Sequence, residues 1–243
     1  MINLKNINKS FQTKDILKNI SFKVNSGTAL AIIGQSGVGK SVLLKHLNGL
    51  IMPDSGDIVI DKKTINLLSF NQLQEVRKNM SMVFQFGALF DSMTIRDNIM
   101  LALDHLTSLN QNEKNQRIED CLQSVNLNDI ENLYPNDISG GMKKRVGIAR
   151  AIAIKPKYIL YDEPTTGLDP ITTDKIINLM KKVQKVNKLT SIIVTHEMKI
   201  VNEFATQVIM LKDGNIIFDG NPDELNSTKD KYIKYFILGK DII

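Results

Sequence analysis

Apolar residues in this chain follow two rhythms that alternate along its length. Ile2 and Leu4, then Ile16 to Val24, make a β-rich start broken by a polar turn around Thr13-Lys14-Asp15. Ala29-Leu30-Ala31-Ile32-Ile33 is a short unbroken apolar run, the pattern of a strand buried on both faces. Past a glycine-rich stretch, Val42, Leu43, Leu44 and Leu47 suit one face of a helix. A turn at Pro53-Asp54-Ser55-Gly56 leads to a strand over 57–60, a helix is expected over 70–78, and 80–85 reads as a further strand ending in Phe86-Gly87.

From about 88 to 153 the period is helical. Thr94 is placed as an N-cap, with Ile95, Ile99, Ala102 and Leu106 on one face. Ile118, Cys121, Leu122 and Val125 make a second stripe, and Tyr134-Pro135-Asn136-Asp137 interrupts. A third helix follows Ser139-Gly140-Gly141 and runs through Val146, Ala149, Arg150 and Ile152. The α/β rhythm then returns: a strand over 158–161, a helix over 172–186, a buried strand over 191–195 and a hairpin turning on Asp213-Gly214-Asn215. The tail from 223 reads as helical. With no internal repeat, low-complexity tract or linker, the expectation is one domain over 1–243 with a helical subdomain at about 88–153.

Composition narrows the class of protein. A hydrophobic share of 42% and a charged share of 23% are those of a globular chain, and no apolar run of 18 residues is present to span a bilayer. The first residues, Met1-Ile2-Asn3-Leu4-Lys5-Asn6, lack the regions of a signal peptide. The single cysteine, Cys121, excludes an intramolecular disulfide and fits a reducing cytoplasm; on its apolar stripe it reads as core. The net charge of +5 is spread along the chain without a clustered basic patch, so nucleic acid is not expected as a partner.

The chemistry concentrates in three stretches. Gly34-Gln35-Ser36-Gly37-Val38-Gly39-Lys40-Ser41 fits G-x-x-x-x-G-K-[ST] between an expected strand and an expected helix. A phosphate chain there would meet backbone N–H groups and the positive end of the helix, with Lys40 reaching the outer phosphates and Ser41 holding Mg²⁺. Asp162 and Glu163 end the apolar strand Tyr158-Ile159-Leu160-Tyr161. Beside such a loop they suit a metal anchor and a group that polarises the attacking water. Between them lies Ile138-Ser139-Gly140-Gly141-Met142, where a serine capping a helix would form a second anion site.

Together these stretches resemble the ATP-binding cassette (ABC) ATPases, and the resemblance covers essentially the whole chain. It implies an α/β fold: a P-loop NTPase core with a mostly parallel sheet, an N-terminal antiparallel β subdomain and an inserted helical subdomain. It implies ATP and Mg²⁺, with nucleotide contacts at Phe11, Gly34, Gln35, Ser36, Gly37, Val38, Gly39, Lys40, Ser41 and Val42, Phe11 stacking on adenine. Glu163, His196 and Lys40 take the catalytic roles, and Ser41, Gln85 and Asp162 attend the metal. In the family's head-to-tail dimer, Ser139, Gly140, Gly141 and the interface residue Asp169 face the nucleotide of the other subunit. His46 and His105 match nothing and are left structural. Met142 and Ile138 depart from the usual Leu-Ser-Gly-Gly-Gln signature, and Met142 removes a polar side chain expected near the ribose.

Ser139–Met142 in sequence, with the stretches 80–90 and 167–172, closely resembles the Mla and Mkl branch, some of whose members are labelled ribonucleotide transporters. That implies a homodimeric, peripheral ATPase at the cytoplasmic face of the inner membrane, coupled to an integral-membrane permease, with lipid-transfer proteins in the same complex and phospholipid as cargo. Phe86, Leu89, Phe90 and Met93 are the expected permease groove, with Lys143, Lys144 and Arg145 either assisting or forming a solvated face. The alternatives are the same role with ribonucleotide cargo, or an ABC ATPase of iron–sulfur assembly with no transport role.

Overall fold

The computed structural model describes residues 1–240, arranged as two compact units. The first comprises Met1–Val76 and the chain from Thr190 onward. It opens on an antiparallel pair, β1 (Ile2–Phe11) and β2 (Lys14–Val24), with Ile2 opposite Val24 and Phe11 opposite Lys14. Buried positions in β1 run Ile2, Leu4, then Ile7, so the alternation loses phase by one residue. The register shift between Leu4 and Ile7 absorbs that residue, with Asn6 at a positive φ of 52°. Asn19 repeats the device between Leu17 and Ile20 on β2. β4 (Ser55–Ile60) pairs with the other edge of β1, and the two-residue β5 (Lys63–Thr64) closes the order β2-β1-β4-β5.

Beside this antiparallel sheet, the same unit contains β3 (Ala29–Ile33) with a parallel neighbour on each side, β8 (Thr190–Val194) and β9 (Gln207–Lys212). Every residue of β3 and β8 is buried, which is why both read as continuous apolar runs rather than alternations. β10 (Asn215–Gly220) returns antiparallel through the Asp213-Gly214 turn. Helices α1 (Lys40–Leu47) and α2 (Phe70–Arg77) precede the second unit. After it come α7 (Met198–Phe204), α8 (Pro222–Asn226) and α9 (Lys231–Ile237).

The second unit spans Arg77–Leu189. Its strands β6 (Met80–Val83) and β7 (Tyr158–Asp162) are parallel, and four longer helices surround them in sequence: α3 (Ile95–Leu106), α4 (Gln111–Ser124), α5 (Gly140–Ala153) and α6 (Pro170–Asn187). α3 and α4 each begin with a reciprocal cap, Thr94 with Asp97 and Asn110 with Glu113. Ile118, Cys121, Leu122 and Val125 are buried together as the stripe predicts, and burial pushes the Cys121 thiol up to about 11.

Candidate functional site

β3 delivers the chain into the phosphate loop at Gly34, and α1 carries it away from Gly39. Gly34 needs to be glycine for space: a Cβ there would stand 2.4 Å from the Leu211 carbonyl oxygen on β9. Gly39 combines a positive φ of 106° with Ile16 and Leu17 about the position of its missing Cβ. Lys40 is buried to 7% exposure, and its ammonium donates to the carbonyls of Gly34 (2.8 Å) and Gln35 (3.0 Å). A positive charge thus lies over a loop whose helix has a glycine, with no side chain to offer, at its N-cap. That arrangement fits a polyphosphate. Leu43, Leu44 and Leu47 anchor α1 in the core, whereas Val42 and Ser41 are only half-buried.

Phe11 ends β1 at 44% exposure with the Lys9 ammonium 5.4 Å from its ring centroid. His196 is exposed in the loop between β8 and α7, and the residue after it, Glu197, donates its N–H to the Thr195 hydroxyl at 3.0 Å. These residues, with the phosphate loop, belong to the first unit. Buried His46 brings a ring nitrogen, Nδ1, to 2.7 Å from the Val42 carbonyl, and burial lowers its pKa.

The second unit holds Gln85, Ser139–Gly141 in sequence, the two carboxylates and Asp169. Asp162 is the last residue of β7. Glu163 follows with a φ of 48°, a strained region for a residue with a Cβ, and the Thr166 hydroxyl donates to its Oε2 at 3.3 Å. Ser139 caps α5, its hydroxyl accepting from the Met142 N–H at 3.3 Å. Asp169 caps α6, its Oδ1 accepting from the Thr172 N–H at 2.9 Å, and its hydrogen bonds with Thr172 hold its carboxyl below the usual range. The two capped ends converge, since a Cβ on Gly141 would meet the Thr172 methyl at 2.9 Å. Between them opens a cavity of about 560 Å³ bordered by Ser139, Gly140, Arg145, Asp169 and Lys175.

Two expectations shift. The strand expected over 80–85 stops at Val83, so Gln85 lies in the turn that follows, because Gly87 takes a φ of 78° and its N–H returns to the Phe84 carbonyl. Lys144 is not on a solvated face: it is 6% exposed and donates to the Thr166 carbonyl at 2.6 Å, while Arg145 donates to the Asn126 carbonyl at 2.9 Å. Arg150, read from sequence only as part of a helix face, donates to the carbonyls of both Gly87 and Ala88 at 2.8 Å. No spacing in the sequence marks such a contact, because its acceptors are backbone.

The ABC transporter family profile matches residues 17–166, which takes in the phosphate loop, the capped serine and the carboxylate strand. The chain belongs to the ABC transporter ATP-binding family. Its ATPase relatives include the probable ABC transporter ATP-binding protein PEB1C of Campylobacter jejuni, 38% identical over 99% of this chain and 98% of that one. The arginine transport ATP-binding protein ArtM of Bacillus subtilis is 40% identical over 98% of each chain. The intermembrane phospholipid transport ATP-binding protein MlaF of Haemophilus influenzae is 37% identical over 99% of this chain and 91% of that one. The dimeric cassette MJ0796, solved with ADP and Pi in a post-hydrolysis state, superposes with a TM-score of 0.84 at 33% identity, covering 91% of this chain and 99% of the other. As an ABC ATPase, this chain binds ATP and couples its hydrolysis to transport, working as a dimer with a membrane permease.

Proposed function

We propose that this ABC ATPase energises phospholipid, or another hydrophobic lipid, moved by a separate permease. The Met142 signature is what favours that cargo, since a phospholipid-transport subunit and an arginine-transport subunit are similar to this chain at nearly equal identity. Hydrolysis is assigned to the residues whose settings suit it. Lys40 offsets charge on the outer phosphates, the Glu163 carboxylate orients and deprotonates the attacking water, and His196 contacts the γ-phosphate. Ser41 and Asp162, hard oxygen donors, would hold a magnesium ion that neutralises charge on the phosphate oxygens, with Gln85 reporting its presence. Phe11 supplies a π-face for adenine.

Ser139, Gly140 and Asp169 are assigned to the nucleotide of a second copy. Gly140 supports this reading most directly. Its φ is not positive and, its chain neighbours and the backbone of its own helix aside, no described heavy atom would lie within 4 Å of a Cβ there, so packing against the rest of the described chain does not require a glycine. A ligand brought close by another subunit would.

Membrane attachment is assigned to the permease, since no described helix is long and apolar enough to cross a bilayer. The subunit would then sit peripherally at the cytoplasmic face of the inner membrane. The surface for that attachment is a cavity of about 450 Å³ lined in part by Phe86, Leu89 and Pro135, with Phe86 75% and neighbouring Phe90 52% exposed. The test is to purify the chain with the permease that accompanies it and reconstitute both in vesicles. ATP-dependent movement of labelled phospholipid is expected, with Phe90→Asp releasing the ATPase from the permease. Movement of nucleotides or amino acids instead would overturn the lipid assignment and leave the ATPase unchanged.

A further inference from the structure

A second cavity, of about 190 Å³, adjoins the phosphate loop within the first unit. Lys14, Asp15, Ser36, Lys212, Asp213 and Tyr232 are among its lining residues, so its two ammonium groups are balanced by two carboxylates. Four separate segments therefore meet there: the start of β2, the loop itself, the β9–β10 turn and α9. The frame is tightly tied. The Gly214 carbonyl accepts from the Lys18 N–H at 2.8 Å, and a Cβ on Gly214 would stand 2.8 Å from the Ile16 carbonyl oxygen. Leu211, just before Lys212, presses its carbonyl against Gly34 at the start of the loop.

Tyr232 is placed by a different part of the fold. Its neighbour Ile233, 3% exposed, docks α9 into a hydrophobic cluster with Ile33, Val208 and Met210, and the Tyr232 ring packs on the same cluster. The Lys212 ammonium lies 4.0 Å from the centroid of that ring. A cation is thus held beside a phosphate loop by a ring that belongs to the last helix described.

Size decides what this cavity can take. Whole small-molecule sites usually occupy about 300–1,000 Å³, so about 190 Å³ suits part of a ligand whose remainder lies elsewhere. A nucleotide whose phosphates fill the loop has such a part to accommodate. We propose that Lys212 and Tyr232 form an outer wall of the ATP site, the ammonium and the phenol edge both meeting the ribose hydroxyls, which tripolyphosphate lacks. α9 thereby becomes an element that responds to nucleotide. This rests on reading residues 34–41 as the nucleotide loop, and the test separates the two.

Inorganic tripolyphosphate probes the loop alone, and ATP probes loop and wall together. In wild type both ligands are expected to bind, and both to be lost in Lys40→Ala. Lys212→Met keeps the aliphatic stem and Tyr232→Phe keeps the ring, so each preserves the packing of α9. Lys212→Met is expected to weaken ATP roughly five- to tenfold relative to tripolyphosphate. The chain has no tryptophan, so Tyr232→Trp installs a single indole whose emission should change with ATP. Equal loss for both ligands in Lys212→Met, or indole emission indifferent to ATP that binds, overturns the wall and leaves the loop standing. Wild-type failure to bind tripolyphosphate with ATP binding intact in Lys40→Ala overturns the loop reading, and the wall with it.

Discussion

Glu163 stands at the end of an apolar strand with its backbone in the left-handed region and one carboxylate oxygen held by the Thr166 hydroxyl. A residue kept there against its backbone preference is one whose direction matters. Glu163→Gln preserves size and the contact with Thr166 but removes the proton acceptor. It is expected to retain ATP and hydrolyse it roughly 10²-fold more slowly, or slower still, the scale of a lost general base. Nucleotide-binding and phosphate-release assays on one preparation check this, and wild-type turnover would assign the base elsewhere. Residues of this kind were legible in the sequence because their chemistry sits at a strand end or a glycine loop, where spacing reports position. Lys144 was not legible: a lysine among basic residues looks solvated until the fold turns it onto the Thr166 carbonyl.

Elements were legible wherever burial produced a clean period, and obscured where a polar side chain was buried. On α3 the sequence suggests Ile95, Ile99, Ala102 and Leu106, but the buried face is Ile95, Asn98, Ile99 and Leu103. Asn98 faces inward because its amide closes the preceding loop, donating to the Phe90 and Met93 carbonyls and accepting from the Phe90 N–H at 2.8 Å. An apolar count passes over it. α7, of seven residues, is too short to establish a period and was missed, whereas the Asp-Gly turn of β9–β10 was read from its own chemistry. The contact of α5 with the segment after Gln85 lies at this scale too. Gly147 lets that segment approach to 3.4 Å from a built Cβ, and Arg150 grips two successive carbonyls. Arg150→Met is expected to cost about 1.5–3 kcal/mol of stability, the range for hydrogen bonds to a charged group. Amide exchange should also quicken in the peptide covering 84–90, measured by mass spectrometry. Unchanged exchange there would mean that the grip holds nothing in place.

At the scale of the molecule, the phosphate loop and the capped serine fall in different units, and the proposal that each serine serves the loop of a second copy can be tested by complementation. Subunits bearing Ser139→Arg and subunits bearing Lys40→Ala are each expected to be inactive. In the proposed head-to-tail dimer, mixing would put both lesions on one composite site and leave the other whole, so about half the activity per mixed dimer should return. No recovery in demonstrably mixed dimers would count against sharing of the site. The order of strands around the loop also bears on how the chain is made. β3, the strand that presents the loop, has β8 and β9 as its sheet neighbours, and Ala29 pairs with Ser191 while Leu30 pairs with Gln207. At about 5–20 residues per second, the stretch from Ala29 to Ser191 takes roughly 10–30 s to synthesise. During that interval the emerging chain has the residues of its nucleotide loop but not the strands that hold β3, so competence to bind ATP arrives late in translation, after the whole inserted unit has left the ribosome.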